Sequence, residues 1–190
     1  MDPKITYIVV CFNSEKYITK CIDSILNQSH SNYEIIIVDN NSSDSTLSIL
    51  KDLAERNKKI IIMSNNKNIG YGNAITDAIA KTNSEFLAIL NADTFLHVNW
   101  ADTLLKKFYS DEKIMSLSGQ ILFPDNKIQS TGGMMDKYGA VVQRGSKTYH
   151  DRKIKADSTF FYNDGSSFMI RRKIFREIQF DPKLFLYYED

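Results

Sequence analysis

Residues 85–94, EFLAILNADT, form an almost continuous apolar run that gives way abruptly to polar and acidic residues. Three similar runs precede it: ITYIVVCF from Ile5, YEIIIVD from Tyr33 and KIIIMS from Lys59. Short apolar runs that are rich in β-branched residues and do not alternate with polar residues are typical of strands buried on both faces of a parallel sheet. The sequence therefore predicts four parallel strands at nearly regular intervals.

The segments between these runs carry apolar residues at helical spacing, as in Ile18, Cys21, Ile22 and Ile25. Three βα units in succession predict a doubly wound α/β sheet. After residue 94 the pattern changes: it predicts a helix over 99–109, a strand over 115–123, hairpins or irregular structure over 124–145, a strand over 159–170 and a short helix from 172. We expect one domain over residues 1–190, with a mostly parallel central sheet and a small antiparallel addition in the second half.

The composition is that of an ordinary globular protein, with 43% hydrophobic and 25% charged residues. The formal net charge of +1 implies no field that would capture nucleic acid. Cys11 and Cys21 match no metal-ligand or redox spacing, which indicates a reduced, cytoplasmic protein. There is no signal-peptide pattern and no membrane-spanning apolar run.

Polar residues follow all four predicted strands, where open parallel sheets bind their ligands. They are Asn13 after the first strand, Asp39 with Asn40 and Asn41 after the second, Asn65 to Asn68 with Gly70 and Gly72 after the third, and Asn91 with Asp93 after the fourth. Each also has a plain structural interpretation: Asn13 and Ser14 are common helix caps, Asp93 can cap a helix, and Gly70 with Gly72 can relieve a tight turn.

An acid after the second strand is also a mark of dinucleotide-binding folds. The segment after the first strand, CFNSEKYI, contains no glycine, so the backbone cannot approach a pyrophosphate there, and no P-loop occurs. A phosphate therefore needs another partner. Asp93, with the oxygen-bearing Asn91 beside it, is the candidate ligand for a divalent metal, Mn²⁺ or Mg²⁺, which such sites hold together with substrate phosphates.

Five segments, in order, resemble the family 2 inverting glycosyltransferases of the GT-A fold: IVVCFNSEKYITKCIDSILNQS, YEIIIVDNNSSDST, NKNIGYGNAITDAIAKTNSEFLAILNADT, NDGSSFMIRRKIF and FDPKLFLYYED. Within the family the chain looks most like bacterial rhamnosyltransferase-type enzymes that build surface polysaccharide. The resemblance implies transfer of a sugar from a nucleotide-diphosphate donor to an acceptor hydroxyl. It also implies that residues 1–94 bind the nucleotide and that residues 95–190 face the acceptor.

The resemblance assigns roles residue by residue. The nucleotide-binding residues would be Asn13, Asp39, Asn68, Gly70, Tyr71, Asn73 and Asn91. Asp93 would bind the metal, and Asp164 with Gly165 would face the donor sugar. Asp190 would be the general base that takes the proton of the acceptor hydroxyl, with Glu189 as its neighbour in the acceptor site.

Two features depart from the family pattern. The metal motif begins with Asn91 where the family has an aspartate, and the family continues past the position of Asp190, so we expect this chain to be part of a longer protein. The implied partners are the donor and a saccharide or lipid-linked saccharide acceptor, with activity in the cytoplasm or at the inner face of the membrane. The alternatives are a sugar nucleotidyltransferase and a non-catalytic nucleotide- or carbohydrate-binding fragment.

Overall fold

A six-stranded sheet forms the centre of the computed structural model, which describes residues 2–135, 138, 141–143, 165–183 and 185. The strands are β1 Ile5–Cys11, β2 Tyr33–Asp39, β3 Ile60–Ser64, β4 Phe86–Asn91, β5 Ser116–Ser118, β6 Ile121–Leu122, β7 Ile128–Ser130, β8 Gly133–Met135, β9 Val141–Gln143 and β10 Ser167–Arg171. The helices are α1 Ile18–Leu26, α2 Thr46–Arg56, α3 Tyr71–Ile79 and α4 Trp100–Ser110, followed by a 3₁₀ helix, Arg172–Arg176.

The strand order is β3-β2-β1-β4-β10-β5. The first four strands are mutually parallel, as predicted, and β10 runs antiparallel to both β4 and β5. Cys11 pairs with Asp39, and Val10 pairs with Asn91, so the carboxyl ends of β1, β2 and β4 lie level with one another. The chain leaves β1 for β2 on one side, while β4 lies on the other side, which makes the end of β1 the switch point of the sheet.

Alternate residues of the central strands pack into two separate cores. Ile5, Tyr7 and Val9 of β1 face one core, which is closed by α1, α2 and α4. Ile8 and Val10 face the other core, which is closed by α3 and by Phe175 and Phe180. Burial on both faces explains why the strands read as continuous apolar runs rather than as alternating patterns.

The second half differs from the prediction in its strands. The expected strand over 115–123 is divided into β5 and β6, which belong to different sheets. The division falls at Gly119, where a Cβ atom would lie 3.0 Å from Nε1 of Trp100, so that the chain turns against the start of α4. Of the strand predicted over 159–170, the structure shows Ser167–Arg171, and residues 159–164 lie outside the described part.

Arg171 joins these second-half elements to one another. Its guanidinium donates to the carbonyls of Ile114 and Phe108 at 3.1 and 2.8 Å, and it lies 5.1 Å from the ring centre of Phe86. It also forms an ion pair with the Glu85 carboxylate at 3.2 Å.

Within the described ranges, no helix combines the length and the apolar character needed to cross a membrane.

Candidate functional site

A cleft of about 370 Å³ opens at the switch point of the sheet. The ends of β1 and β4 form its floor, and the loops that follow the four parallel strands form its walls. The lining residues are Val10, Cys11, Phe12, Asn13, Ser14, Tyr17, Asn40, Asn68, Gly70, Tyr71, Asn91, Ala92, Asp93 and Phe185. Six of the predicted site residues, Asn13, Asn68, Gly70, Tyr71, Asn91 and Asp93, therefore share one cavity.

Asn13 connects the first loop to the second. Its side-chain oxygen accepts a hydrogen bond from the Ser43 amide at 2.8 Å, and its own amide donates to Oγ of Ser42 at 2.9 Å. Its backbone has a φ of 52°, a left-handed conformation that asparagine tolerates better than most residues. Among the residues that the structure describes, no side chain caps α1, so the helix-cap interpretation of Asn13 and Ser14 is wrong.

Asp44 and Glu15 connect the same two loops in a reciprocal way. The Asp44 carboxylate accepts from the amides of Glu15 and Thr46 at 3.1 and 3.0 Å, while the Glu15 carboxylate accepts from the amide of Ser45 at 2.9 Å. These acids therefore satisfy backbone groups at the start of α2, which would otherwise lack partners. The result is a fixed wall on the side of the cleft formed by β1 and β2.

Asp39 lies beneath this wall, and it is not among the residues that line the cleft. Its carboxylate is only 1% exposed, and it accepts weak hydrogen bonds from the Ser42 amide at 3.4 Å and from the Cys11 thiol at 3.9 Å. Burial, and after it the Asp39 carboxylate, raises the pKa of the Cys11 thiol, so Cys11 remains a protonated donor. Cys11, which lines the cleft, is therefore a direct neighbour of Asp39, which does not.

Asn40 is the polar residue in the cleft whose role the sequence did not reveal. Its side-chain oxygen accepts from Nδ2 of Asn65 at 2.9 Å and from the Ile69 amide at 3.2 Å, and its Nδ2 donates to the Gly70 carbonyl at 3.2 Å. One buried carboxamide therefore fixes the loop after β3 against the end of β2. The only sequence signal was its place in a run of polar residues directly after a strand.

The loop after β3 turns sharply into α3. Oδ1 of Asn68 accepts from the Gly70 amide at 3.0 Å, and Gly70 adopts a φ of 87°, which a residue with a Cβ atom rarely adopts. The Tyr71 hydroxyl donates to the Gly165 carbonyl at 3.2 Å, so Gly165 lies beside this loop. Asn73 is the third residue of α3 and lies outside the lining of the cleft.

Asp93 lies in an exposed turn directly after β4, closed by a hydrogen bond of 3.1 Å from the Thr94 amide to the Asn91 carbonyl. It does not cap a helix, because α4 begins only at Trp100. Burial raises the pKa of the nearby Cys21 thiol to about 12, and the negative charge of Asp93 adds to that effect.

The residues around Asp93 are compatible with a metal that the substrate helps to bind. No group of three or more His, Cys, Asp or Glu side chains that could enclose a cation exists in the described ranges. Asp93 and Asn91 both line the cleft, however, and supply a carboxylate and an amide oxygen, which suit Mg²⁺ or Mn²⁺. Asp164, Glu189 and Asp190 lie outside the described residues.

The chain belongs to Glycosyl transferase family 2, whose family model matches residues 6–179. It is 26% identical over 177 residues to an uncharacterized glycosyltransferase of Haemophilus influenzae, covering 92% of this chain and 54% of that protein. It is 30% identical over 143 residues to a chondroitin synthase of Escherichia coli, covering 75% of this chain and 19% of that protein.

Among solved structures, the chain resembles a mannosyltransferase of Pyrobaculum calidifontis in complex with GDP-Man and Mn²⁺. The TM-score is 0.69 at 18% identity, covering 97% of this chain and 49% of that one. The likeness confirms the predicted GT-A fold, with its mostly parallel sheet and small antiparallel additions. The chain spans about half the length of the Haemophilus relative and of the mannosyltransferase.

Proposed function

We propose that this chain is the catalytic domain of an inverting glycosyltransferase that takes its sugar from a nucleotide-diphosphate donor. The observation that carries the proposal is the cleft at the switch point, with Asp93 exposed at the end of β4. Membership of the family and the complex of the mannosyltransferase with GDP-Man support it. The similarity to a chondroitin synthase supports a saccharide acceptor, and we propose that this saccharide is free or lipid-linked.

In this proposal the nucleotide lies along the cleft against Asn13, Asn68, Gly70, Tyr71 and Asn91. Asp39 acts from outside the lining, through the loop residue Ser42. Asn73 also lies outside the lining, so the cleft itself gives no support to the nucleotide role that the family resemblance implies for it. Gly165 and the adjacent Asp164 face the donor sugar. The bond from the Tyr71 hydroxyl to the Gly165 carbonyl supports this assignment, because it brings the Gly165 backbone to the edge of the cleft.

Asp93 and Asn91 would hold a divalent metal, Mn²⁺ or Mg²⁺, which when bound stabilises negative charge on the leaving diphosphate. The cleft offers no glycine-rich phosphate loop after β1, so a carboxylate without a cation would repel the diphosphate. The Mn²⁺ in the mannosyltransferase complex supports the same choice of ion.

Inversion requires a carboxylate on the acceptor side that removes the proton of the attacking hydroxyl while the nucleotide leaves from the opposite face. We assign this role to Asp190, with Glu189 beside it, on the resemblance of YYED to the acidic pair of the family. We further propose that the protein works in the cytoplasm or at the inner face of the membrane, in bacterial surface polysaccharide synthesis of the rhamnosyltransferase type. The free, buried Cys11 and Cys21 support a reducing compartment.

A thermal-shift panel of UDP-, GDP- and dTDP-sugars, each with and without Mn²⁺, tests the donor site. A ligand at 100 times its dissociation constant stabilises the fold by about 2.7 kcal/mol. We expect one class of nucleotide to raise the melting temperature, and Mn²⁺ to increase that rise. Asp93→Asn should abolish the increase due to Mn²⁺, whereas the control Asp52→Asn, on the exposed face of α2, should retain it.

Stabilisation that does not depend on Mn²⁺ would contradict the metal assignment, and the absence of any change in melting temperature would favour a non-catalytic fragment.

The reaction itself is tested with the full-length protein, which should release nucleoside diphosphate from the donor that binds. Asp190→Asn should lower this rate by about 100-fold or more while nucleotide binding stays intact. Release of pyrophosphate from a nucleoside triphosphate and a sugar phosphate would instead identify a sugar nucleotidyltransferase.

A further inference from the structure

The start of α3 contacts a distant part of the chain through one backbone and one side-chain hydrogen bond. The amide of Tyr71 donates to the carbonyl of Phe185 at 3.1 Å, and Nδ2 of Asn73 donates to the carbonyl of Pro182 at 3.2 Å. We call Gly70, Tyr71, Gly72 and Asn73 the α3 start, and Phe180, Pro182 and Phe185 the docked residues. More than a hundred residues separate these two groups along the chain, so local sequence does not produce the contact.

The α3 start has glycine at two positions where the docked residues approach its backbone closely. A Cβ atom at Gly70 would lie 2.6 Å from the carbonyl oxygen of Phe185, a distance that real Cβ atoms do not adopt. A Cβ atom at Gly72 would lie 3.0 Å from Cβ of Phe180. Gly72 is buried in the first turn of α3, and glycine is a weaker helix former than alanine, so its presence calls for a reason from packing. The docked residues supply that reason.

Docking also removes a site that a phosphate would otherwise use. The first amides of a helix have no partner within the helix, and they commonly bind anionic groups. Here the first amide of α3, that of Tyr71, donates to the Phe185 carbonyl instead. While the docked residues are in place, this amide is not available to the diphosphate of a donor.

Phe185 forms a wall between two cavities. It lines the cleft, and it also lines a second cavity of about 520 Å³ whose other residues include Lys67, Asn68 and Asn73. Its side chain is 55% exposed although it is large and apolar, so burial does not explain its position. The hydrogen bond from the Tyr71 amide to the Phe185 carbonyl holds Phe185 at the edge of the cleft.

We propose that Gly72 and Asn73, the two members of the α3 start that lie outside the cleft lining, are positioning residues for the acceptor side of the reaction, whereas Gly70 and Tyr71 line the cleft. Glu189 and Asp190 follow Phe185 by four and five residues, and an extended chain spans at most about 3.6 Å per residue. Anchoring Phe185 therefore keeps Asp190 within about 18 Å of the cleft wall. This inference rests on the proposed function, in which Asp190 is the base.

The docking itself is tested by hydrogen exchange at the Tyr71 amide in the full chain. A first helical amide without a partner exchanges rapidly, so protection of the Tyr71 amide that is lost when the docked residues are altered reports the bond to Phe185. Phe180→Ala and removal of residues 181–190 should each abolish this protection. Rapid exchange in the unaltered chain overturns the proposal.

The positioning role is tested by separating binding from turnover. Gly72→Ala adds a methyl group 3.0 Å from Cβ of Phe180, which must shift to admit it, and Asn73→Asp replaces the donor to Pro182 with an acceptor. We expect kcat for the donor identified above to fall by about 10-fold to 100-fold, because small displacements of a catalytic group have effects of that size. The dissociation constant for UDP or GDP with Mn²⁺ should change by less than about threefold.

Two matched variants control for nonspecific damage. Gly119→Ala introduces a methyl group 3.0 Å from Trp100, the same approach as at Gly72, and Asp77→Asn alters one charge a turn further along α3. Both should retain kcat. Weaker nucleotide binding by more than about threefold in Gly72→Ala or Asn73→Asp, or an unchanged kcat, overturns the positioning role. If no donor is turned over by the unaltered protein, the proposed function fails, and exchange at Tyr71 still decides the docking.

Discussion

The two halves of the chain build their sides of the cleft in different ways. In the first half, β1 to β4 contain five to seven residues each, and a helix follows every one of them. In the second half, β5 to β9 contain only two or three residues each. The first half therefore has regular structure that forms from local pattern, and the second half depends on contacts between distant residues.

The side chains that fix each half differ in the same way. Around β1, β2 and β3 the loops are joined by many short side-chain hydrogen bonds to backbone, such as those of Asn13 and Asn40. In the described second half, the side chain of Arg171 joins α4, the segment before β5 and the end of β10 by hydrogen bonds. We therefore expect single substitutions in the loops of the first half to lower the free energy of unfolding by moderate amounts. A substitution at Arg171 should lower it most.

The largest effect is expected for Arg171→Met. Arg171 is 8% exposed, and its loss leaves the carbonyls of Phe108 and Ile114 without their donor inside the protein. Leaving buried acceptors unpaired costs about 1 to 3 kcal/mol each, so we expect the free energy of unfolding to fall by about 3 kcal/mol. Urea denaturation followed by circular dichroism measures this change.

Arg171→Lys serves as the comparison, because it retains the charge without the planar fork of donors. It should recover only part of the loss. Lys173→Met, an exposed position two residues further on, should change the free energy of unfolding by less than about 0.5 kcal/mol. A loss at Arg171 no greater than that at Lys173 would show that the second half is not anchored in this way.

The same contrast explains what the sequence could reveal. Continuous β-branched runs predict the four parallel strands, and polar residues after them predict the cleft, because both follow from periodicity and from the level ends of parallel strands. The burial of Asp39 beside Cys11 could not be predicted, since it depends on the register between β1 and β2. The contact of Gly70 with Phe185 could not be predicted either. A glycine in the sequence indicates that another group can approach the backbone closely, but it does not identify that group.

An intermediate effect is expected for Asn40→Ala in the first half. This variant removes three hydrogen bonds in a buried place, those to Asn65, Ile69 and Gly70, and should lower the free energy of unfolding by about 2 kcal/mol. Asn65→Ala removes only one of the three and should cost about 1 kcal/mol or less. Equal losses in the two variants would mean that Asn40 does not act as the common partner of this loop.

The smallest effect is expected at the opposite end of the sheet, at Glu34. Burial alone would raise the pKa of its carboxyl group, but hydrogen bonds from Lys4, Thr82 and Thr6 outweigh burial and lower the pKa. A lowered pKa in the folded state means that the carboxylate stabilises the fold above its ordinary pKa of 4.5, and that this contribution is lost as the pH falls through the lower value. Glu34→Gln should therefore lower the free energy of unfolding by about 1 kcal/mol near neutral pH, and the difference from the unaltered protein should shrink in acid. Urea titrations at several pH values measure this difference in the free energy of unfolding, and Glu55→Gln, at an exposed position, serves as the control. A difference that stays constant with pH would show that the ionised form of Glu34 contributes nothing to stability.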